Sequence, residues 1–130
     1  MSLYSKKFEN NMTKKYYYQD EVPYIIRCVD SENIIRTHPN CVPVIINTKE
    51  NVNLKKRKFL VPYNVNSTIL IYYIRKYISD APYKSIFLFH GNIILDNIKN
   101  IGDIYLDYIL NNKSDDKYFY LDMCFENTFG

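Results

Sequence analysis

Two short apolar runs separated by a polar stretch, Val42-Pro43-Val44-Ile45-Ile46 and Lys58-Phe59-Leu60-Val61-Pro62, decide most of what this chain can fold into. Both are too short for a typical helix and are rich in β-branched or aromatic residues, which suit a pleated, half-buried surface. Each carries a proline, which cannot donate to a ladder and so belongs at a strand start, a strand end or an edge. Polar residues 47–53 turn the chain back between them, which makes the pair a hairpin. Directly afterwards, Asn66 or Ser67 is placed to cap a helix running to about Ile78, with Leu70, Ile74 and Ile78 on one face. Asp80-Ala81-Pro82 ends that helix.

Upstream of the hairpin, a helix starts near Asp20-Glu21-Val22-Pro23, with acids at its start and proline suited to the first turn. It carries Tyr24, Ile25, Cys28, Val29, Ile34 and Ile35 and stops before His38-Pro39-Asn40. Downstream, Ser85 to His90 reads as a strand, and Gly91-Asn92 reads as a tight turn into Ile93-Ile94-Leu95. Residues 101–109 give a short helix, and Lys117 to Met123 form the last strand after the polar loop 111–116. The order is therefore an N-terminal helical extension followed by β-β-α-β-β-α-β. A hairpin followed by a helix lying across the sheet is the layout of a ubiquitin-like β-grasp, an α+β fold. A basic arm over 1–20, the folded domain over 21–126 and a tail over 127–130 complete the expected organisation.

A mass of 15.6 kDa fits one such domain. The net charge of +3 is small and unevenly placed: the first twenty residues are basic, whereas residues 103–130 carry six acids against Lys113 and Lys117. That is a local dipole and lacks the strongly basic face a nucleic-acid partner requires. Three glycines argue against a phosphate-cradling loop, and Cys28, Cys41 and Cys124 are too few and scattered for a disulfide framework or a zinc site. Neither His38 nor His90 sits in a metal-ligand pattern, and Cys41 has no base partner evident in sequence, so no enzymatic site is expected.

Four motifs in order make a more specific reading possible. His38-Pro39-Asn40-Cys41-Val42-Pro43-Val44-Ile45, Lys58-Phe59-Leu60-Val61-Pro62, Ile74-Arg75-Lys76 and the terminal Glu126-Asn127-Thr128-Phe129-Gly130 resemble the autophagy ubiquitin-like modifier family. This is the light-chain and GABA-receptor-associated-protein group, whose members are attached to phosphatidylethanolamine. The match runs from about Val22 to Gly130.

The resemblance implies that Gly130 is the conjugation point, joined by an amide to the lipid amine. A residue without Cβ suits this role, because its carbonyl can be approached closely in a narrow enzyme tunnel. No other cofactor is implied. The implied partners are activating and conjugating enzymes, a deconjugating cysteine protease, adaptors bearing aromatic-x-x-aliphatic motifs, and a membrane held through the lipid. An adaptor peptide would add as a strand beside Lys58 to Pro62. One hollow would be lined by Asp30, Ile34, Pro43, Lys58, Leu60 and Tyr118. The other would be lined by Phe59, Val61, Pro62, Val65, Leu70 and Tyr73. Lys55-Lys56-Arg57-Lys58 would attract acids flanking the peptide, although such a run also reads as a nuclear-localisation signal or, most commonly, as a solvated hairpin. Phe87 and Phe89 alternate with Ile86 and Leu88, so one pair faces the core, and the other either is buried under a neighbouring helix or forms a second ligand surface, as the resemblance implies.

The family setting implies a cytoplasmic protein that moves to autophagosomal membranes, or to a plastid membrane in an apicomplexan-type parasite. Conjugation to a protein lysine and an unconjugated binding module are the alternatives. The ending Glu-Asn-Thr-Phe-Gly favours the lipid branch, since the other typically ends in Trp-Gly. Three positions depart from the family pattern: Ile35 and Cys41 stand where arginine is usual, and Tyr77 replaces a basic residue. These losses lower the positive charge around the expected groove.

Overall fold

The structure, a computed structural model, describes residues 18–48, 52–79 and 84–126. Pro23 divides the N-terminal helical segment in two. Helix α1 spans Tyr18–Glu21, and α2 spans Tyr24–Thr37 with Pro23 as its N-cap. The expected single helix starting near Asp20 is thus two helices, because proline has no N–H to continue the first one. The described residues begin at Tyr18, inside the segment read as an arm. The rest of that arm lies outside the described residues, as does the tail 127–130.

Strand β1 (Cys41–Asn47) pairs antiparallel with β2 (Lys58–Pro62), and α3 (Ser67–Arg75) follows. The side chain of Asn66 accepts from Ile69 N at 3.1 Å, the N-cap expected from sequence. Helix α3 stops at Arg75, three residues short of the expected Ile78. That residue instead bridges to Leu54, and Lys55 N donates to Tyr77 O. The expected Asp80-Ala81-Pro82 stop lies outside the described residues. Strands β3 (Ile86–His90) and β4 (Ile93–Ile94) join through Gly91-Asn92, with Gly91 at φ +62, as the first central position of a type II′ turn requires. Helix α4 (Ile101–Leu110) leads through a loop to β5 (Phe119–Phe125).

The last strand lies two residues beyond the expected Lys117–Met123. Lys117 has φ +68, and the Asp116 carboxylate accepts from Tyr118 N, so the chain is still turning there. At the far end, Phe125 is held in the sheet by pairing with Ile86.

The sheet order is β2-β1-β5-β3-β4, with β1 and β5 parallel at its centre. One face packs Val42, Val44, Ile46, Phe59, Val61, Leu121 and Met123 against Leu70 and Ile74 of α3 and Ile101, Ile104 and Tyr105 of α4. The other face carries a smaller core of Ile45, Tyr118 and Tyr120, packed by Ile34 of α2 and by Tyr18. Helices therefore cover both faces. Pro43 sits in an interior strand without breaking a rung. Its backbone nitrogen points away from β2, and β5 pairs with β1 only from Val44 onward.

Candidate functional site

Strand β2 is a sheet edge, and its register decides what that edge offers. Ile46 N donates to Arg57 O and Tyr63 N donates to Asn40 O, each at 2.8 Å. These bonds fix the phase of the antiparallel ladder, so Phe59 and Val61 exchange bonds with β1. Lys58 and Leu60 alternate with them and direct their N–H and C=O groups outward. An extended segment laid along β2 would meet unpaired backbone groups at these two residues.

The same alternation sorts the side chains. Leu60 is 42% exposed, and Lys58 is half-buried beside the second core. Opposite Leu60 lies buried Pro43. Half-buried Asp30 and Ile34 stand one turn apart on α2, on the face directed at this end of the sheet. Tyr118 is fully enclosed, and the Lys58 ammonium lies 5.4 Å from its ring centroid. Burial works against the Lys58 charge, but the Tyr118 and Tyr18 hydroxyls outweigh it and raise its pKa above the usual lysine value. The six residues expected to line the first hollow thus lie around the junction of α2, β1, β2 and the start of β5.

The second expected group divides. Phe59, Val61 and Leu70 are buried in the main core and offer little wall to a ligand. Exposed Pro62 and Tyr73, the latter at 45%, supply the accessible surface together with half-buried Val65. Period-two burial along β2 and period-3.6 burial along α3 explain the division. The basic run is also less free than its sequence suggests. Lys56 stacks over Phe59 and Tyr77, and Arg57 donates to Thr48 Oγ1 at 2.6 Å. Phe87 and Phe89 are half-buried and pair with Cys124 and Asp122 on β5, so the patch they form is only partly open.

Sequence reasoning missed the cluster that seats α2. The apolar residues of this helix, Tyr24, Ile25 and Val29, face solvent, whereas Arg27 and Ser31 are buried. Arg27 donates to the buried Asp116 carboxylate at 2.5 Å, and Ser31 donates to Asp116 O at 2.5 Å. Tyr120 also donates to the Asp116 carboxylate. Burial, reinforced by Asp116, pushes the Tyr120 hydroxyl far above the ordinary tyrosine value, which keeps it a donor. Burial opposes the Arg27 charge, but Asp116 and Tyr120 prevail and raise its pKa. The only sequence hint was a lone arginine among apolar residues.

Among the described residues no group of His, Cys, Asp and Glu could hold a metal ion, and no helix is long and apolar enough to cross a membrane. Gly130 lies outside the described residues.

Comparison with known proteins agrees with this architecture. The family model described as "Autophagy protein Atg8 ubiquitin like" matches residues 26–130. Autophagy-related protein 8 of Coccidioides immitis is 31% identical over 116 residues, covering 87% of this chain and 96% of the relative. The Schizosaccharomyces pombe protein of that name is 30% identical over 116 residues, covering 87% of this chain and 93% of the relative. Among solved structures, Trypanosoma brucei ATG8 superposes with a TM-score of 0.72 at 22% identity, covering 85% of this chain and 95% of that one. Plasmodium falciparum Atg8, solved in complex with a Plasmodium falciparum Atg3 peptide, gives a TM-score of 0.69 at 27% identity, covering 84% and 95%. With the family model spanning most of the chain on a β-grasp sheet flanked by helices, the protein belongs to the Atg8 family of ubiquitin-like autophagy proteins.

Proposed function

We propose that this protein is a modifier joined through Gly130 to phosphatidylethanolamine, and that it recruits aromatic-x-x-aliphatic peptides along β2. It acts between the cytoplasm and the autophagosomal membrane. The observation that carries the peptide half is the open edge at Lys58 and Leu60, with exposed Leu60 between two apolar surfaces. The conjugating enzyme is a partner by analogy with the Plasmodium falciparum relative and its Atg3 peptide.

In the lipid half, the Gly130 carboxylate attacks the α-phosphate of ATP and releases pyrophosphate. An enzyme thiolate then displaces AMP to give a thioester, and the lipid amine displaces the thiol to form the amide. This chain supplies the carboxylate and the recognition surface, while the enzymes supply the thiolates.

Incubation with activating and conjugating enzymes, ATP and phosphatidylethanolamine liposomes should yield a lipid adduct on Gly130 by mass spectrometry, and Gly130→Ala should not. No adduct on the wild type would sink the lipid half. A peptide bearing the motif should bind wild type and lose about tenfold or more in affinity with Leu60→Asp, because a charge would then sit against an apolar ligand. Equal binding by both proteins would remove β2 as the site.

A further inference from the structure

Two of the residues expected to line the first hollow, Lys58 and Tyr118, already hold an aromatic ring. Tyr18 meets Tyr118 edge-on, with ring centroids 5.6 Å apart and planes at 75°. The Lys58 ammonium lies 5.4 Å from each of the two centroids, so both rings share one cation. Together with Ile34, Tyr18 packs against the Ile45, Tyr118 and Tyr120 cluster.

A chain of bonds tethers this ring. Val22 N donates to Tyr18 O at 3.1 Å, and Arg27 Nε donates to Val22 O at 2.9 Å, with Arg27 itself anchored on Asp116. The hold is nonetheless light. Helix α1 has four residues, none of them buried, and Gln19 Oε1 is shielded from water with no hydrogen-bond partner. Docking α1 therefore carries a desolvation penalty that its release removes.

The geometry points to Tyr18 as a built-in occupant of the aromatic hollow, which an incoming peptide aromatic must displace. This inference rests on the reading of β2 as the peptide-binding edge. Tyr18 thereby sets the affinity of the hollow for the aromatic end of a ligand, while leaving the surface of Pro62, Val65 and Tyr73 untouched. The apparent affinity of wild type is reduced by the fraction of molecules in which Tyr18 is seated.

The test is titration calorimetry on the full chain with a short acidic peptide carrying Trp-Glu-Glu-Leu, alongside amide NMR spectra of the free proteins. Tyr18→Ala should bind about 3- to 10-fold tighter than wild type, for a competent fraction of about a third to a tenth. Tyr18→Phe, which keeps the ring, should stay within about twofold of wild type. A peptide with Trp replaced by Ala should not distinguish the proteins. In the free state, Tyr18→Ala should shift the Lys58 and Tyr118 amide signals. Equal or weaker binding by Tyr18→Ala, with Leu60→Asp still weakening binding about tenfold or more, overturns the inference and leaves the β2 site standing. Binding by neither wild type nor Tyr18→Ala overturns the β2 reading and the inference with it.

Discussion

Arg27 and Asp116 stand 89 residues apart in the chain and 2.5 Å apart in the fold, with the Asp116 side chain fully enclosed. This pair fastens α2 across the sheet face that carries Tyr118, and so it positions one wall of the candidate site. Asp116 also accepts from the Ser114 hydroxyl and Tyr118 N, each at 3.0 Å, which spreads its charge over several donors.

Removing one partner of such a pair leaves the other buried with fewer partners: Arg27 keeps Val22 O at 2.9 Å and Asp115 at 3.7 Å, but the loss of Asp116 also strips the bonds of Tyr120, Ser114 and Tyr118 N. Asp116→Ala should cost about 3–5 kcal/mol, read as a fall in the urea midpoint. Arg27→Met should cost less, because Asp116 keeps the Tyr120 hydroxyl and the Tyr118 amide. A larger loss for Arg27→Met than for Asp116→Ala would reverse this account.

Gly102 has no room for a side chain. A Cβ there would stand 2.1 Å from the Tyr63 ring, whose hydroxyl donates to Asp103 at 2.8 Å. Gly102→Ala should destabilise by about 1–3 kcal/mol through overpacking. Combining it with Tyr63→Ala should cost clearly less than the sum of the two single changes, since the second removes the clash. Additive effects in a double-mutant cycle would refute the clash.

Asn66 caps α3, the helix that carries Leu70 and Ile74 into the core. Asn66→Ala should cost about 1 kcal/mol, whereas Asn66→Ser should retain most of that stability by supplying another acceptor for Ile69 N. Thermal melts of the three proteins distinguish these outcomes, and equal melting of all three would show the cap to be idle.

His90 is partly buried beside Tyr108 and Phe119. Burial, assisted by the Lys113 charge, holds its pKa below 6.5. The unfolded chain therefore binds this proton more readily than the folded one. The stability it contributes is present above about pH 6.5 and is lost as pH falls through the folded value. An NMR titration should place the folded His90 below 6.5, and His90→Gln should lose less stability than wild type on acidification. A folded value above 6.5 would contradict the assignment.

Much of the fold was legible along the chain because local rules and global packing agree there. The β1–β2 hairpin, Asn66 as a cap and Gly91-Asn92 as a tight turn each follow from residue chemistry acting over a few positions. The open edge was only half legible: Pro62 is compatible with an edge or a strand end, but Pro43 sits in the interior strand β1, so proline alone does not tell the two strands apart. Boundaries failed where a tertiary bond took over. Helix α3 ends early while Ile78 bridges to Leu54, and β5 starts late because Asp116 turns the chain at Lys117.

By itself, the sequence determined the β-β-α-β-β-α-β order and the β-grasp class, because these depend on period and turn chemistry, whereas the register of β2 on β1 decided that Phe59 and Val61 face the core. Only the tertiary structure decided which face of α2 is buried. Hydrophobic pattern selects Tyr24, Ile25 and Val29, yet Arg27 and Ser31 go inside because Asp116 waits there to pair with them. The tertiary structure alone likewise brought Tyr18 onto Lys58 and Tyr118, since contacts between residues far apart in the chain leave no periodic trace in it.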